Sequence, residues 1–481
     1  MSEKKEVMQG VVWKFLERIS AQIVSLVVSI ILARLLAPNE YGIISLITVF
    51  ITIANVFVTN GFGAALIQKK NADTLDYSSV FYFSLVFTMV LYVILFILAI
   101  PISRFYNMPL LKPVMRVLSI SVPIMGINSI QQAYISRKME FKKFFKATLI
   151  GTIISAVVGI IMAYSGFGVW ALVAQTLCNN IIDTFILQLS IDWRPTKEFS
   201  FDRIKNLLDY GWKLLVQGLI GQIYNSLRSL FIGKIYSAED LAYYTKGNQF
   251  PDLISVNIDT AINTALFPAM SRAQESMEKI KHMARKTTQI SSYIMSPILI
   301  GFMAIAEPFI RLLLTEKWLL AVPFLRIECV ILLFRAPQTA MLQSLKAIGK
   351  SDTVLKCDIP IRIFALVVLF ISIRFGVIYF AISEILTTIF GTLLYAFSVN
   401  KYIGYTYKEI CSDFFFNILG AAIMGGTIWY IGMKVSFVPV ITIIIQICIG
   451  IILYLVLSIV SRSDNLVFLV NSIKDIYKSR A

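Results

Sequence analysis

The chain has 481 residues, of which 57% are hydrophobic and 15% charged, whereas an ordinary soluble chain carries about 25% charge. Lys and Arg (44) outnumber Asp and Glu (28), for a net charge of +16, but the basic residues stand in short segments between long apolar runs. That distribution excludes a basic nucleic-acid-binding domain and predicts an all-α polytopic membrane protein.

Metal and histidine chemistry have little to work with. The five cysteines are scattered without ligand-like spacing, and the one histidine, His282, stands among Lys and Arg. The polar N-terminus leads into a full span without a cleavage site, so no signal peptide is expected. No Gly-rich loop followed by Lys-Ser/Thr appears, which argues against direct ATP coupling. The glycine pairs (Gly61/Gly63, Gly166/Gly168, Gly425/Gly426) read as packing or hinge positions.

Apolar runs of spanning length fall near 12–36, 42–66, 79–103, 114–136, 147–165, 168–190, 210–235, 249–270, 288–314, 320–345, 357–375, 377–399, 413–433 and 438–460. The expectation is about 14 transmembrane helices. The first run carries a polar stripe: Lys14, Arg18, Gln22, Ser25 and Ser29 fall within roughly 80° of arc at helical spacing. The seventh repeats it with Lys213, Gln217, Gly221, Tyr224, Asn225 and Arg228. A lysine or arginine at mid-membrane costs roughly 2.5 to 3.5 kcal/mol, so both stripes are expected to face protein or water, in a polar cavity between two halves. Acids recur deeper in the chain. Asn179 and Asp183 share a face of the sixth run, Asp252, Asp259 and Asn263 one of the eighth, and Glu384 sits in the twelfth. Glu328 and Arg335 are spaced to share a face of the tenth.

The two stripes belong to an internal repeat. Segments 13–42 and 212–242 align, with Trp13-Lys14 facing Trp212-Lys213, Gln22 facing Gln222 and Arg34 facing Lys234. Farther on, PISR at 101–104 is echoed by PFIR at 308–311, and PVMR at 113–116 by PFLR at 323–326. Two six-helix lobes are expected, 1–200 and 201–403, with an extra helix pair and tail at 404–481. Six crossings per lobe make the repeats parallel. Basic residues favour one side of the alternating connections by roughly 27 to 9, which places both termini in the cytoplasm.

Four segments carry a family resemblance: ARLLAPNEYG at 33–42, ALIQ at 65–68, RKMEF at 137–141 and LFPAMSR at 266–272. They resemble the Wzx-like lipid-linked oligosaccharide flippases of the MOP superfamily, which also holds the MATE drug exporters and lipid II flippases. The subgroup most resembled is that of colanic-acid and teichuronic-acid exporters. The resemblance implies two MATE-like lobes around a cationic cavity in the bacterial plasma membrane. It also implies alternating access that moves an undecaprenyl-diphosphate-linked repeat unit to the outer leaflet for surface polysaccharide synthesis. The substrate and membrane lipids are the expected partners, with a polysaccharide polymerase and chain-length machinery as further candidates; nucleic acid is not.

Candidate substrate-binding residues are Lys14, Arg18, Gln22, Lys213, Gln217, Asn225, Arg228 and Arg335. Arginine suits a diphosphate because its planar fork forms paired, charge-assisted bonds to phosphate oxygens. The competing reading is that Lys14, Arg18 and Lys213 snorkel to the headgroups, and that Arg335 makes a structural ion pair between lobes. Candidate cation-coupling residues are Asp259, Asp183 and Glu384, with H+ or Na+ as the ion and no other cofactor; Asp259 alternatively serves as partner to an arginine. Tyr224, Tyr243 and Tyr244 are candidate sugar-stacking aromatics, though most aromatics in such a chain pack or sit at the interface. The rivals are a MATE-like exporter of small cations, which the basic stripes disfavour, and a membrane-embedded enzyme acting on lipid-linked glycans, which the short outer loops disfavour. No catalytic constellation is present in the sequence.

Overall fold

The structure is a computed structural model that describes residues 3–59, 66, 69, 72–434, 438–461 and 464–478. Among them all regular structure is helical. The first half comprises α1 (Glu3–Leu35), α2 (Pro38–Val56), α3 (Thr74–Tyr106), α4 (Leu111–Leu118), α5 (Ser121–Lys138), α6 (Phe141–Tyr164), α7 (Val169–Ser190) and α8 (Phe201–Ile235). Then come α9 (Ala238–Arg272), α10 (Met277–Leu314), α11 (Val322–Leu333), α12 (Arg335–Ala347), α13 (Ser351–Ser372), α14 (Val377–Ile403), α15 (Tyr407–Lys434), α16 (Pro439–Val460) and α17 (Asp464–Lys478).

Local chemistry sets several of these boundaries. At α2, Pro38 occupies the first turn, where its missing N–H is harmless, and the Glu40 carboxylate accepts the Ala37 N–H at 2.8 Å. At α3, Asp73 accepts from the Asp76 N–H at 2.8 Å and Asp76 accepts from the Asp73 N–H at 3.1 Å. That helix ends where Asn107 turns left-handed.

Ten helical segments among the described residues are long and apolar enough to cross a membrane, and the chain is a multi-pass membrane protein. The remaining expected runs are helical too, but polar residues cut their apolarity. α8 carries Lys213 and Arg228, α9 carries Lys246, Asp252 and Asp259, and α13 carries Lys356, Asp358 and Arg362. The tenth run is broken: Phe334 turns between α11 and α12. The 65–68 segment, apart from Leu66, and Gly61 and Gly63 lie outside the described residues.

By packing, the chain divides into Met1–Ala242 and Tyr243–Ala481. In the first unit α6 lies between α1 and α7, α5 packs on α3 and α7, and α8 packs on α2 and α3. The division therefore falls after α8, whereas the repeat in the sequence restarts at 201; one follows packing, the other homology between segments. The core gathers around Trp193, whose ring meets Tyr77 at 5.8 Å and Phe81 at 5.9 Å. The chain from α7 to α8 is stitched to α3: Thr196 N–H donates to Ser78 Oγ and Ser200 N–H to Ser79 Oγ, both at 3.0 Å. Below them Asp76, fully buried, meets Lys69 Nζ at 2.5 Å and Arg203 at 3.4 Å. An unpaired carboxylate there would be costly.

In the second unit α10 is the central post, packed by α11, α12, α15 and α16, while α14 packs on α11, α12 and α13. The C-terminal pair is fixed to α10 by polar groups. Arg285 forks onto Asp413 at 2.8 and 3.0 Å, and Gln289 Nε2 donates to Asp413 at 2.6 Å. Farther along, Tyr293 OH donates to Ser458 Oγ at 2.8 Å and Tyr454 OH to the Tyr293 carbonyl at 3.0 Å.

Each unit makes the same arginine contact. Arg116 Nε donates to the Phe96 carbonyl at 3.3 Å, and Arg326 Nε to the Met303 carbonyl at 3.3 Å. Phe96 and Met303 stand five residues before Pro101 and Pro308, next to the carbonyl that each proline deprives of its helical donor. The left-handed stops Asn107 and Met139 also have counterparts at Thr315 and Gly349.

Candidate functional site: intramembrane charge and amide networks

By packing, the helices that carry the two polar stripes, α1 and α8, both fall in the first unit. Arg18, Gln22 and Arg228 are half-buried, while Lys14, Lys213, Gln217 and Asn225 are exposed. α8 presents this stripe because its other face is fastened. Gln222 Nε2 donates to Thr52 Oγ1 of α2 at 3.3 Å and to Ser226 Oγ at 3.0 Å. Tyr106 OH reaches the Leu230 carbonyl at 3.4 Å, and Lys234 Nζ donates to the Phe105 carbonyl. Gln222 and Ser226 lie roughly 140–180° around the helix from Gln217 at 100° per residue, so anchoring and stripe occupy opposite faces.

Lys14 is tied down locally. Its Nζ lies 2.7 Å from Glu17 Oε2 and 4.6 Å from the centre of the Phe144 ring on α6. Glu17 was not singled out from the sequence, although an acid three residues after a lysine is a recognisable helical pair. With half its side chain exposed (51%), Lys14 fits the snorkelling reading.

A second arrangement surrounds Asp183 in a polar layer across α5, α6 and α7. Asn128 Nδ2 donates to Asp183 Oδ2 at 2.8 Å and to Thr184 Oγ1 at 3.1 Å, and Thr148 Oγ1 donates to Asp183 Oδ1 at 3.4 Å. Gln132 Nε2 donates to Asn128 Oδ1 at 2.5 Å, and Gln131 Nε2 to Gln188 Oε1 at 2.5 Å. The α5 amides were missed in the sequence. Three amides standing 51 to 55 residues before the acid show no periodic link to it, and only the fold joins them.

The third arrangement lies in the second unit. Arg335 Nε sits 2.6 Å from Asp259 Oδ2, and its Nη1 lies 3.8 Å from Asp252 Oδ1. Ser255 Oγ also donates to Asp259 at 3.3 Å, and Gln343 Nε2 to Asn263 Oδ1 at 2.6 Å. Acid, acid and amide on one face of α9 thus meet arginine and glutamine on α12. The expectation of an arginine bridging two lobes is corrected: its partners lie in its own unit. The turn at Phe334 is the reason, because it ends the helix that would have carried Glu328 and Arg335 along one line. Asp259 has the arginine partner that one of its two sequence readings required. Glu384 on α14 accepts from Tyr244 OH at 3.5 Å. Among the described residues no cluster of three or more acids, cysteines or histidines is placed to hold a metal.

The family described as "Polysaccharide biosynthesis protein" matches residues 31–323, more than half of the sequence. The chain belongs to this family. Within the polysaccharide biosynthesis protein family it is 25% identical over 426 residues to an uncharacterized membrane protein in the cps region of Klebsiella pneumoniae, covering 86% of this chain and 87% of that one. It is 22% identical over 420 residues to the teichuronic acid biosynthesis protein TuaB of Bacillus subtilis, covering 85% and 86%. Among solved structures it is similar to the lipid II flippase MurJ in an inward closed conformation. The TM-score is 0.75 at 17% identity, over 94% of this chain and 99% of the other. A multidrug MATE transporter of the MOP superfamily gives 0.60 at 15% identity, over 80% and 96%. The fold is that of MurJ and the MATE transporters. Of the candidate residues, the family match takes in Asp183, Lys213, Gln217, Asn225, Arg228 and Asp259; Lys14, Arg18, Gln22, Arg335 and Glu384 lie outside it.

Proposed function

We propose that this protein translocates a polyprenyl-diphosphate-linked oligosaccharide repeat unit from the cytoplasmic to the outer leaflet of the plasma membrane, for assembly of a surface polysaccharide. The observation that carries the reading is Arg228, a half-buried arginine within a helix of spanning length, in a chain of the polysaccharide biosynthesis family. Its cost in hydrocarbon is recovered if it meets an anion or water, and a diphosphate is an anion its fork fits. The likeness to TuaB, named for teichuronic acid biosynthesis, supports a glycan cargo. The flippase fold supports a lipid-linked one.

In this reading Arg18 and Arg228 hold the diphosphate, and Gln22, Gln217 and Asn225 hydrogen-bond the first sugars. Lys14 and Lys213 gather anionic lipid at the cytoplasmic edge, where both termini lie. About 14 crossings bring the polar helices α8, α9, α11–α12 and α13 into the membrane beside the ten apolar ones. Alternating access is driven by H+ or Na+ at Asp183, Glu384 or Asp259, where cation binding at Asp259 competes with Arg335. The chain is a carrier and not an enzyme.

The test is direct. The protein is reconstituted into liposomes with a fluorescent polyprenyl-diphosphate oligosaccharide, and dithionite quenching reports the outer leaflet. Translocation beyond that of protein-free liposomes supports the proposal; identical traces under every imposed proton and sodium gradient refute it.

A further inference from the structure

A cleft of about 300 Å³ opens in the second unit among α10, α11, α15 and α16, lined by Glu307, Arg311, Arg326, Trp429, Gly432 and Gln446. It lies at the ends of α10 and α15 opposite the Arg285–Asp413 contact. Gly432 makes the room, since a Cβ there would run into the Gln446 amide.

Gln446 is 1% exposed. Its Nε2 donates to the Ile428 carbonyl at 2.8 Å, while its Oε1 has no hydrogen-bond partner among the described residues. A buried amide oxygen lining a cleft without a donor marks a place where a donor belongs. Around it stand groups of both kinds. Glu307 offers a carboxylate, Arg311 donates to Glu307 at 3.4 Å and Glu316 at 3.2 Å, and Arg326 donates its Nε to the Met303 carbonyl at 3.3 Å. The Trp429 ring is half exposed at 50%.

The complement of this lining is specific. Gln446 Oε1 and Glu307 need donors, the guanidinium groups need acceptors, and the indole face needs a flat apolar surface. A phosphate supplies acceptors alone, and a hydrocarbon chain supplies neither. A pyranose ring supplies all three, with hydroxyls around its edge and C–H groups on its face. The volume is at the lower end of small-ligand sites, which suits a single sugar ring.

We infer that this cleft is a saccharide-binding site, in which one pyranose stacks on Trp429 and its hydroxyls meet Gln446 Oε1, Glu307 and Arg326. The inference extends the proposed function and rests on it for the source of the sugar. With cytoplasmic termini the cleft opens at the outer face, where it takes hold of the glycan after translocation and before release.

The experiment uses the full chain in lipid nanodiscs and saturation-transfer NMR, with methyl β-glucoside and methyl β-glucuronide as probes and glycerol phosphate as the headgroup probe. At least one glycoside should receive saturation on its ring protons and keep it when glycerol phosphate is added. The signal should fall at least threefold in Trp429→Ala and in Gln446→Leu, and persist in Trp429→Phe. Should the buried Gln446→Leu change prevent folding, the exposed Glu307→Gln variant decides, with the same loss expected. No glycoside signal, displacement by glycerol phosphate, or an undiminished signal in Trp429→Ala overturns the site. Arg228→Ala should retain the glycoside signal while losing translocation, so failure of the cleft and failure of the transport reading are separately visible.

Discussion

Arg335 Nε and Asp259 Oδ2 lie 2.6 Å apart, joining the halves of α12 and α9 that face each other within the second unit. Asp259 is almost buried, at 9% side-chain exposure, whereas Arg335 keeps 43%. Removing either partner strands a charge, and the more buried one suffers most. Arg335→Gln, which strands the buried carboxylate, should therefore lower the thermal midpoint of the purified protein more than Asp259→Ala does. The double variant should recover part of the loss, with a coupling of roughly 0.5–3 kcal/mol in a double-mutant cycle. Strict additivity would remove the pair as a structural element.

If Asp259 also couples cation flow, Asp259→Asn should bind substrate as wild type does but translocate at a rate independent of the imposed gradient. Gradient dependence equal to wild type would assign coupling elsewhere, with Asp183 and Glu384 the next positions to vary.

Gly42 marks a close approach of the two repeated segments: a Cβ at Gly42 would run into the carbonyl of Ala238. Backbone is not free to move aside as a flexible side chain is, so Gly42→Val should sharply reduce the yield of monodisperse protein, on the order of 1–3 kcal/mol from overpacking. Gly426, with nothing near its missing Cβ, is the matched control, and Gly426→Ala should extract and migrate as wild type.

At the start of α3, Asp73 is held below the usual carboxylate range, chiefly by the Asp76 N–H and further by Arg203. Its folded-state value is depressed, so its contribution to stability is present above the unfolded-state value and fades as pH falls through the folded one. Asp73→Asn should lower the thermal midpoint at neutral pH and change it little at acid pH, flattening the acid limb of a midpoint-versus-pH curve. An acid limb identical to wild type would show that the cap carries no pH dependence.

The sequence made some features plain and hid others for physical reasons. Spanning helices are legible because hydrocarbon demands long apolar runs, and the repeat is legible because prolines and arginines recur with their spacing: Pro101 with Arg104 and Pro113 with Arg116, then Pro308 with Arg311 and Pro323 with Arg326. The partners of Arg335 and Asp183 were hidden because pairing across helices leaves no period in the chain. The break at Phe334 does have a signal in the sequence: Pro337 stands in the first turn of α12, where its missing N–H leaves the Leu333 carbonyl without a helical donor. By contrast, nothing around Cys411 in the sequence signals that Asp413 meets Arg285 from 128 residues away. The stripes on α1 and α8 were read correctly as polar faces on helices, but their membership of one packed unit depends on α8 clasping α2 and α3.

Orientation can be tested on the intact cell. In a background without the native cysteines, an impermeant maleimide should label a cysteine placed at Lys317 and spare one at Lys142. The opposite pattern would invert the topology and place the saccharide cleft in the cytoplasm.

The central claim is that Arg228 grips the anionic part of the cargo, and the measurement closest to it is the initial translocation rate of Arg228→Ala in the liposome assay at matched protein density. The account predicts a rate no greater than that of protein-free liposomes, with partial return in Arg228→Lys, which keeps the charge and loses the fork. A rate for Arg228→Ala within twofold of wild type would contradict it.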